Sequence, residues 1–194
     1  MWRMFSVIEL RGLTMLNEIT KQFISSAYLV KWVTEEWEYQ QMLALRQAVF
    51  CEEQGVFEGN DIDDIDEKAT PIVAISCVAG IPDEVVGTVR IHQSEPQIWW
   101  GSRLAVAANY RKQGHLGAAL IRLAVTSAHA QGCRNFFAQV QSRNVPLFRK
   151  LHWQSLQEIQ VHGRPHHLME VHLEKYPPFR EPQTGFICTN RVNG

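Results

Sequence analysis

The run "SRLAVAANYRKQGHLGAALIRLAV", Ser102 to Val125, constrains the fold more than any other part of the chain. A strand-like apolar stretch gives way to a turn holding two cations, Arg111 and Lys112, and two glycines, Gly114 and Gly117. An apolar helix follows at once. Glycine lets backbone amides approach a ligand, cations attract anions, and a helix start presents unpaired N–H donors. Together they describe a phosphate seat, although ordinary turns share each feature singly. A dinucleotide fingerprint would need three spaced glycines after a first strand and an acid about twenty residues on, and a nucleotide-binding P-loop its own pattern. Neither occurs.

At 194 residues the chain suits one domain with a substantial core. A net charge of -1 argues against general nucleic-acid binding, which needs a basic excess. Cys51, Cys77, Cys133 and Cys188 are widely spaced without a CxxC pair, so reduced thiols in a cytoplasm are expected rather than disulfides or a zinc site. The opening "MWRMFSVIELRGLTMLNEIT" is broken by Glu9 and Arg11, too short an apolar run to span a membrane, and Met15 is a second candidate start.

Residues 1–26 read as a lead-in, 27–176 as a single domain, and 177–194 as a tail with little pattern. "AYLVKWV" (27–33) is a strand, and Thr34 before Glu35 and Glu36 is a plausible cap for a helix running to about Phe50. An acidic segment follows, then strands at 71–79, 84–93 and 98–107, with "GIPDE" as the first hairpin turn. The long helix should stop at Gly132. After it come a strand at 135–141, a short helix at 144–151 and a hairpin around "GRP". The order implies a mixed α/β (α+β) protein whose sheet is mostly antiparallel, with a crossover at the long helix.

With its glycine turn, this stretch resembles motif A of the GNAT superfamily of N-acetyltransferases, a strand, a [Q/R]-x-x-G-x-[G/A] loop and a helix. The motif fits in two registers. Starting at Arg111 keeps Gly114 but puts Leu116 at the last small position; starting at Lys112 keeps Gly117 but puts His115 at the middle glycine. "NFFAQVQSRNVPLFRKLHW" is similar to the strand and helix that follow in that family. "LRQAVFCEEQGVFEGNDIDDIDEKAT" resembles a branch with acids at matching places, and acyl-homoserine-lactone synthases share a similar arginine, aromatic and acid arrangement. Within the branch the chain looks most like nitrogen-starvation N-acetyltransferases of cyanobacteria and other bacteria.

The resemblance implies a single acetyl-CoA-dependent domain that acylates a small primary amine directly in a ternary complex, without metal, nucleic acid or membrane. A homodimer is left open. It carries the coenzyme to the backbone of Leu104, Ala105 and Val106, to the turn Arg111, Lys112, Gln113, Gly114, His115, Leu116, Gly117 and Ala118, and to Asn144 and Phe148. It also matches Glu53, Asp61, Asp63 and Asp66 to the branch's acids. Crowded carboxylates raise one another's pKa, which would suit a base near neutrality; a solvated acidic loop is the plain alternative. Phe148 stands where many relatives have a proton-donating tyrosine, leaving Ser142, Cys133 and His152 as nearby substitutes. Two rival functions stay open: an acyltransferase with a longer donor, as in lactone synthases, and a non-catalytic acyl-CoA sensor. "HGRPHH" (162–167) is expected to be a hairpin tip with chance histidines. Arg90 and Arg103 have two readings, an acidic substrate group or an acid of the fold.

Overall fold

The computed structural model describes residues 25–113 and 115–189, and for Lys112 and Gln113 the backbone only. The lead-in, apart from its last two residues, and Gly114 lie outside the described residues. Strand β1 (Ala27–Trp32) precedes helix α1 (Glu36–Arg46), which continues as a seven-residue π-helix, Gln47–Glu53. Strands β2 (Thr70–Val78), β3 (Ile81–Glu95) and β4 (Ile98–Val106) form a meander. A 3-10 turn (Ala108–Gln113) leads to α2 (Leu116–Ala130). Then come β5 (Asn135–Gln141), α3 (Val145–Lys150), and strands β6 (Trp153–Val161), β7 (Arg164–Val171) and β8 (Phe186–Thr189).

The eight strands lie in the order β6-β7-β5-β4-β3-β2-β1-β8. All neighbours are antiparallel except β4 and β5, whose parallel pairing is the crossover through α2. This agrees with the mixed, mostly antiparallel sheet expected from the element order. Helix α2 covers one face. Leu116, Leu120, Leu123, Ala124 and Val125 recur at helical spacing and join Ile72, Val89, Ile91 and Phe136 in the main core. Gly87 on β3 permits that approach, since a Cβ there would come within 2.9 Å of Leu120 Cδ1. On the other face α1 buries Met42 against Val73, Ile75 and Val85.

Several boundaries differ from the sequence reading. The first hairpin turns at Ala79–Gly80, with φ of 52° and 82°, so "IPDE" lies within β3. The last hairpin turns at His162–Gly163, one residue before the expected "GRP". Glu35, not Thr34, occupies the N-cap of α1. The Thr34 hydroxyl instead accepts from Lys31, and the buried Glu38 carboxylate takes both the Lys31 ammonium (2.6 Å) and the Thr34 amide (2.8 Å). The tail contributes a short strand. Its β8 pairs with β1, and Phe179 N–H donates to the Thr126 carbonyl (3.0 Å), strapping the tail across α2. Among the described residues no helix is long and apolar enough to cross a membrane.

Candidate functional site

Strands β4 and β5 pair only from Ile98 with Asn135 to Gly101 with Ala138. Beyond that point both continue, β4 to Val106 and β5 to Gln141, without pairing to each other. A cavity of 530 Å³ opens at this divergence. One end is apolar, walled by Ile121, Ala124 and Val125 of α2 with Phe136 and Phe148. The other end is polar and lies on the opposite sheet face under the segment that follows α1. There Arg90, His92, Ser102 and Gln141 line it, roofed by Phe50, Phe57 and Asp63.

A bulge shapes the β4 wall. Thr88 faces Ala105 and Arg90 faces Ser102, so Arg103 and Leu104 together oppose Val89 alone. Arg103 takes φ of 55°, outside the usual strand range. The extra residue sends the Arg103 side chain to the polar end, its guanidinium 4.5 Å from the Phe57 ring centre.

The acidic segment is held by three arginines from three elements. Arg46, only 1% exposed, donates Nε to Asp61 (2.8 Å) and both terminal nitrogens to Asp66 (2.6 and 2.9 Å). Arg90 grips Asp63 with two bonds (2.7 and 2.8 Å), and its Nη1 lies 2.7 Å from Asp66. Arg103 pairs with Asp61 (2.8 Å) and Asp63 (3.0 Å). Asp63 and Asp66 therefore behave opposite to the expectation from crowding. The Arg90 hydrogen bonds hold Asp63 below its ordinary value, against a smaller effect of burial. Burial pushes Asp66 up, but its bonds to Arg46 and Arg90 outweigh this and hold it well below the usual carboxylate range. Such anions are poor bases near neutrality.

This has a consequence for stability. Groups depressed in the folded state contribute stability above their unfolded pKa, ~3.9 for Asp, and lose it as pH falls toward the folded value. Denaturant midpoints are expected to be insensitive to these groups down to about pH 5 and to drop below about pH 4. A loss with its midpoint above pH 5 would contradict the pairing.

Glu53 and Arg111 also depart from their expected roles. Both arms of Arg111 hold the Glu53 carboxylate (2.6 Å each), and Nε donates to the Val106 carbonyl (2.8 Å). This bridge lowers Glu53 and ties the π-helix to the turn after β4. The Arg111 guanidinium is thus spent within the protein rather than offered to a phosphate.

Of the remaining expected residues, Ala105 is buried on β4 between Leu104 and Val106. His115 caps α2, its Nε2 buried without a hydrogen-bond partner. Leu116 points into the core, whereas Gly117 and Ala118 are half-buried in the first helical turn. A Cβ on Gly117 would meet nothing within 4 Å, and its φ is not positive. Neither packing nor backbone geometry demands glycine there. Asn144 caps α3 and lines the cavity, as does Phe148, which packs edge-on against Trp153 at 5.1 Å. Of the substitutes for the absent tyrosine, Cys133 lies past the far end of α2, its thiol pushed by burial to about 12, and His152 is exposed outside this cavity.

Three histidines to which the sequence reading gave no role in the coenzyme or acceptor site line the cavity: His92, His162 and His166. Two belong to "HGRPHH", and their clustering was the available signal. They do not gather around a metal: among the described residues no group of three or more His, Cys, Asp or Glu could hold one.

Residues 27–153 match the model of the acetyltransferase (GNAT) family. No curated protein matches the chain. Among solved structures, a protein of Lactobacillus plantarum assigned as an N-acetyltransferase superposes with a TM-score of 0.66 at 19% identity, over 74% of this chain and 97% of that one. The CoA-dependent acyl-homoserine lactone synthase BjaI, with SAM and isopentyl-CoA, gives 0.62 at 18%, over 77% and 86%. An aminoglycoside 6'-N-acetyltransferase with coenzyme A gives 0.60 at 13%, over 73% and 95%. At these identities the structural likeness bears on the fold alone, while the family match spans most of the described chain. The diverging strands, the bulged β4 and the glycine-bearing helix start thus sit in a chain that belongs to the acetyltransferase (GNAT) family.

Proposed function

We propose that the protein transfers an acyl group from acyl-CoA to a small primary amine by direct attack in a ternary complex, in the cytoplasm. The observation that carries this is the unpaired stretch between β4 and β5, which opens beside a helix start whose glycine no internal contact requires. An extended pantetheine arm fits the first, pairing with the backbone of Leu104 to Val106. A diphosphate fits the second, because the first amides of α2 have no partner within the helix. In the 3-10 turn before it, by contrast, amides bond three residues back. The seat is therefore centred on Leu116, Gly117 and Ala118.

In this reading an amide of the β4 bulge polarises the thioester carbonyl, an effect that reaches ~3–4 kcal/mol in comparable sites. The acids act through the arginines: by holding Arg46, Arg90 and Arg103 they fix the roof of the acceptor end. The relation to the nitrogen-starvation branch belongs to this reading as well, supported by the acid spacing.

Acetyl is the donor that the family resemblance suggests. The apolar lining at one end of the cavity, Ile121, Val125 and Phe136, favours a second reading, a longer or branched acyl group. Thermal melts with a series from acetyl-CoA to octanoyl-CoA test both. Ligand at about a hundred times its Kd adds ~2.7 kcal/mol, or about 5–10 °C for a chain of this size. No shift with any acyl-CoA would refute the coenzyme site. Release of free thiol with an amine panel then separates an enzyme from a sensor.

A further inference from the structure

The proton that the acceptor nitrogen must shed has no taker among the acids, since the arginines hold Asp61, Asp63 and Asp66, and Glu53 is held by Arg111. Phe148 offers no proton to the departing sulfur. One side chain lining the cavity meets both needs. His166 is 9% exposed and stands on β7 opposite Gln141, the last residue of β5. It therefore lies one strand away, ~4.8 Å, from the edge where β5 has left β4. Its Nδ1 is 2.9 Å from the Arg164 carbonyl. A carbonyl oxygen only accepts, so in the neutral ring Nδ1 carries the hydrogen and Nε2 keeps the lone pair. Among the described residues no group bonds Nε2, and the ring lines the cavity. His92 presents a weaker case, because its Nδ1 is sealed from the cavity as well as unpartnered.

We infer that His166 Nε2 takes the proton from the acceptor amine and returns it to the leaving sulfur, a role that rests on the transfer reading above. The amine nitrogen attacks the thioester carbonyl carbon; the C–N bond forms, the C–S bond breaks, and its electron pair leaves on sulfur as the thiolate. The nitrogen's proton passes to Nε2 and then to sulfur. An amide, a free thiol and a neutral imidazole remain. One ring then serves where a carboxylate and a tyrosine would otherwise be needed.

The charged and titratable groups on the flanking elements are mostly cationic: Arg164 on the same strand, His162 at the turn and Arg143 after β5. Glu158 on β6 faces the neighbouring His167 instead. Across the cavity stand Arg90 and Arg103 with Asp63, and His92. Cationic groups thus outnumber the acids around the ring.

The test pairs spectroscopy with kinetics on the full chain. Nitrogen-15 NMR of the imidazoles should show His166 protonated at Nδ1 in its neutral form, and a ring protonated at Nε2 would overturn the assignment. With wild type, acyl-CoA and a panel of alkylamines, amino acids, polyamines and aminoglycosides, thiol release should give a pH profile with an acidic limb. His166→Gln should lower kcat by roughly 10²–10⁴-fold and erase that limb, while the coenzyme-induced rise in Tm persists. Added imidazole should restore part of the rate to His166→Ala. Retention of rate and limb in His166→Gln, or loss of the limb in His92→Gln instead, would overturn this role and leave the transfer reading intact. No thiol release by wild type from any amine would overturn the transfer reading, and this role with it.

Discussion

Arg46→Met is expected to lower the unfolding free energy by about 3–5 kcal/mol, the range for breaking a buried ion pair from one side. Methionine matches the length of the side chain, so the loss comes from charge rather than volume. Asp61 is 2% exposed and Asp66 12% exposed, and both lose a cationic partner at under 3 Å at once. Arg103 and Arg90 still reach them, which keeps the effect from growing larger. Urea unfolding measures it. Adding Asp61→Asn to Arg46→Met should recover part of the loss, with a coupling of ~0.5–3 kcal/mol, because the pair is removed together. A cost below about 1 kcal/mol for Arg46→Met alone would mean that the cluster does not hold the roof.

The same cluster marks where the sequence stops being legible. Four aspartates in six residues are visible in a string, and their mutual repulsion is a sound first inference. Their partners are not visible, because Arg46, Arg90 and Arg103 come from α1, β3 and a bulge on β4 and meet the acids only after folding. Cations at under 3 Å outweigh both repulsion and burial, and the direction of the Asp66 shift reverses. Where the deciding contacts are local, the sequence serves well. Strand β5 falls on the expected 135–141, and α2 ends just before Gly132, whose φ of 88° forms the expected left-handed stop. Between the two lies β8, four residues whose pairing with β1 is more than 150 positions away in the chain. Nothing in "FICT" alone distinguishes it from a loop. The π-helix is hidden for another reason: it differs from an α-helix by one residue of hydrogen-bond register, which apolar spacing does not resolve. The histidines combine both difficulties, since a turn at His162–Gly163 was nearly placed but what the tip folds over depended on the whole sheet.

Gly117 separates stability from binding more sharply than any other position. In the first turn of α2 a glycine costs the helix up to about 1 kcal/mol relative to alanine, and the open space around it shows no structural return. Gly117→Ala is therefore expected to raise Tm and, since the last small position of the motif takes glycine or alanine, to leave the acyl-CoA shift nearly intact. Gly117→Asp should leave the unliganded melt unchanged or slightly raised, since a carboxylate suits a helix N-terminus by ~0.3–1 kcal/mol. It should abolish the coenzyme-induced shift, by setting a negative charge where the phosphates would lie. The two variants share a folded state and differ in the charge they present, so a fold defect cannot mimic the result. An unaltered acyl-CoA shift in Gly117→Asp would remove the diphosphate from this helix start, and a lowered Tm in Gly117→Ala would show that the glycine answers to the fold after all.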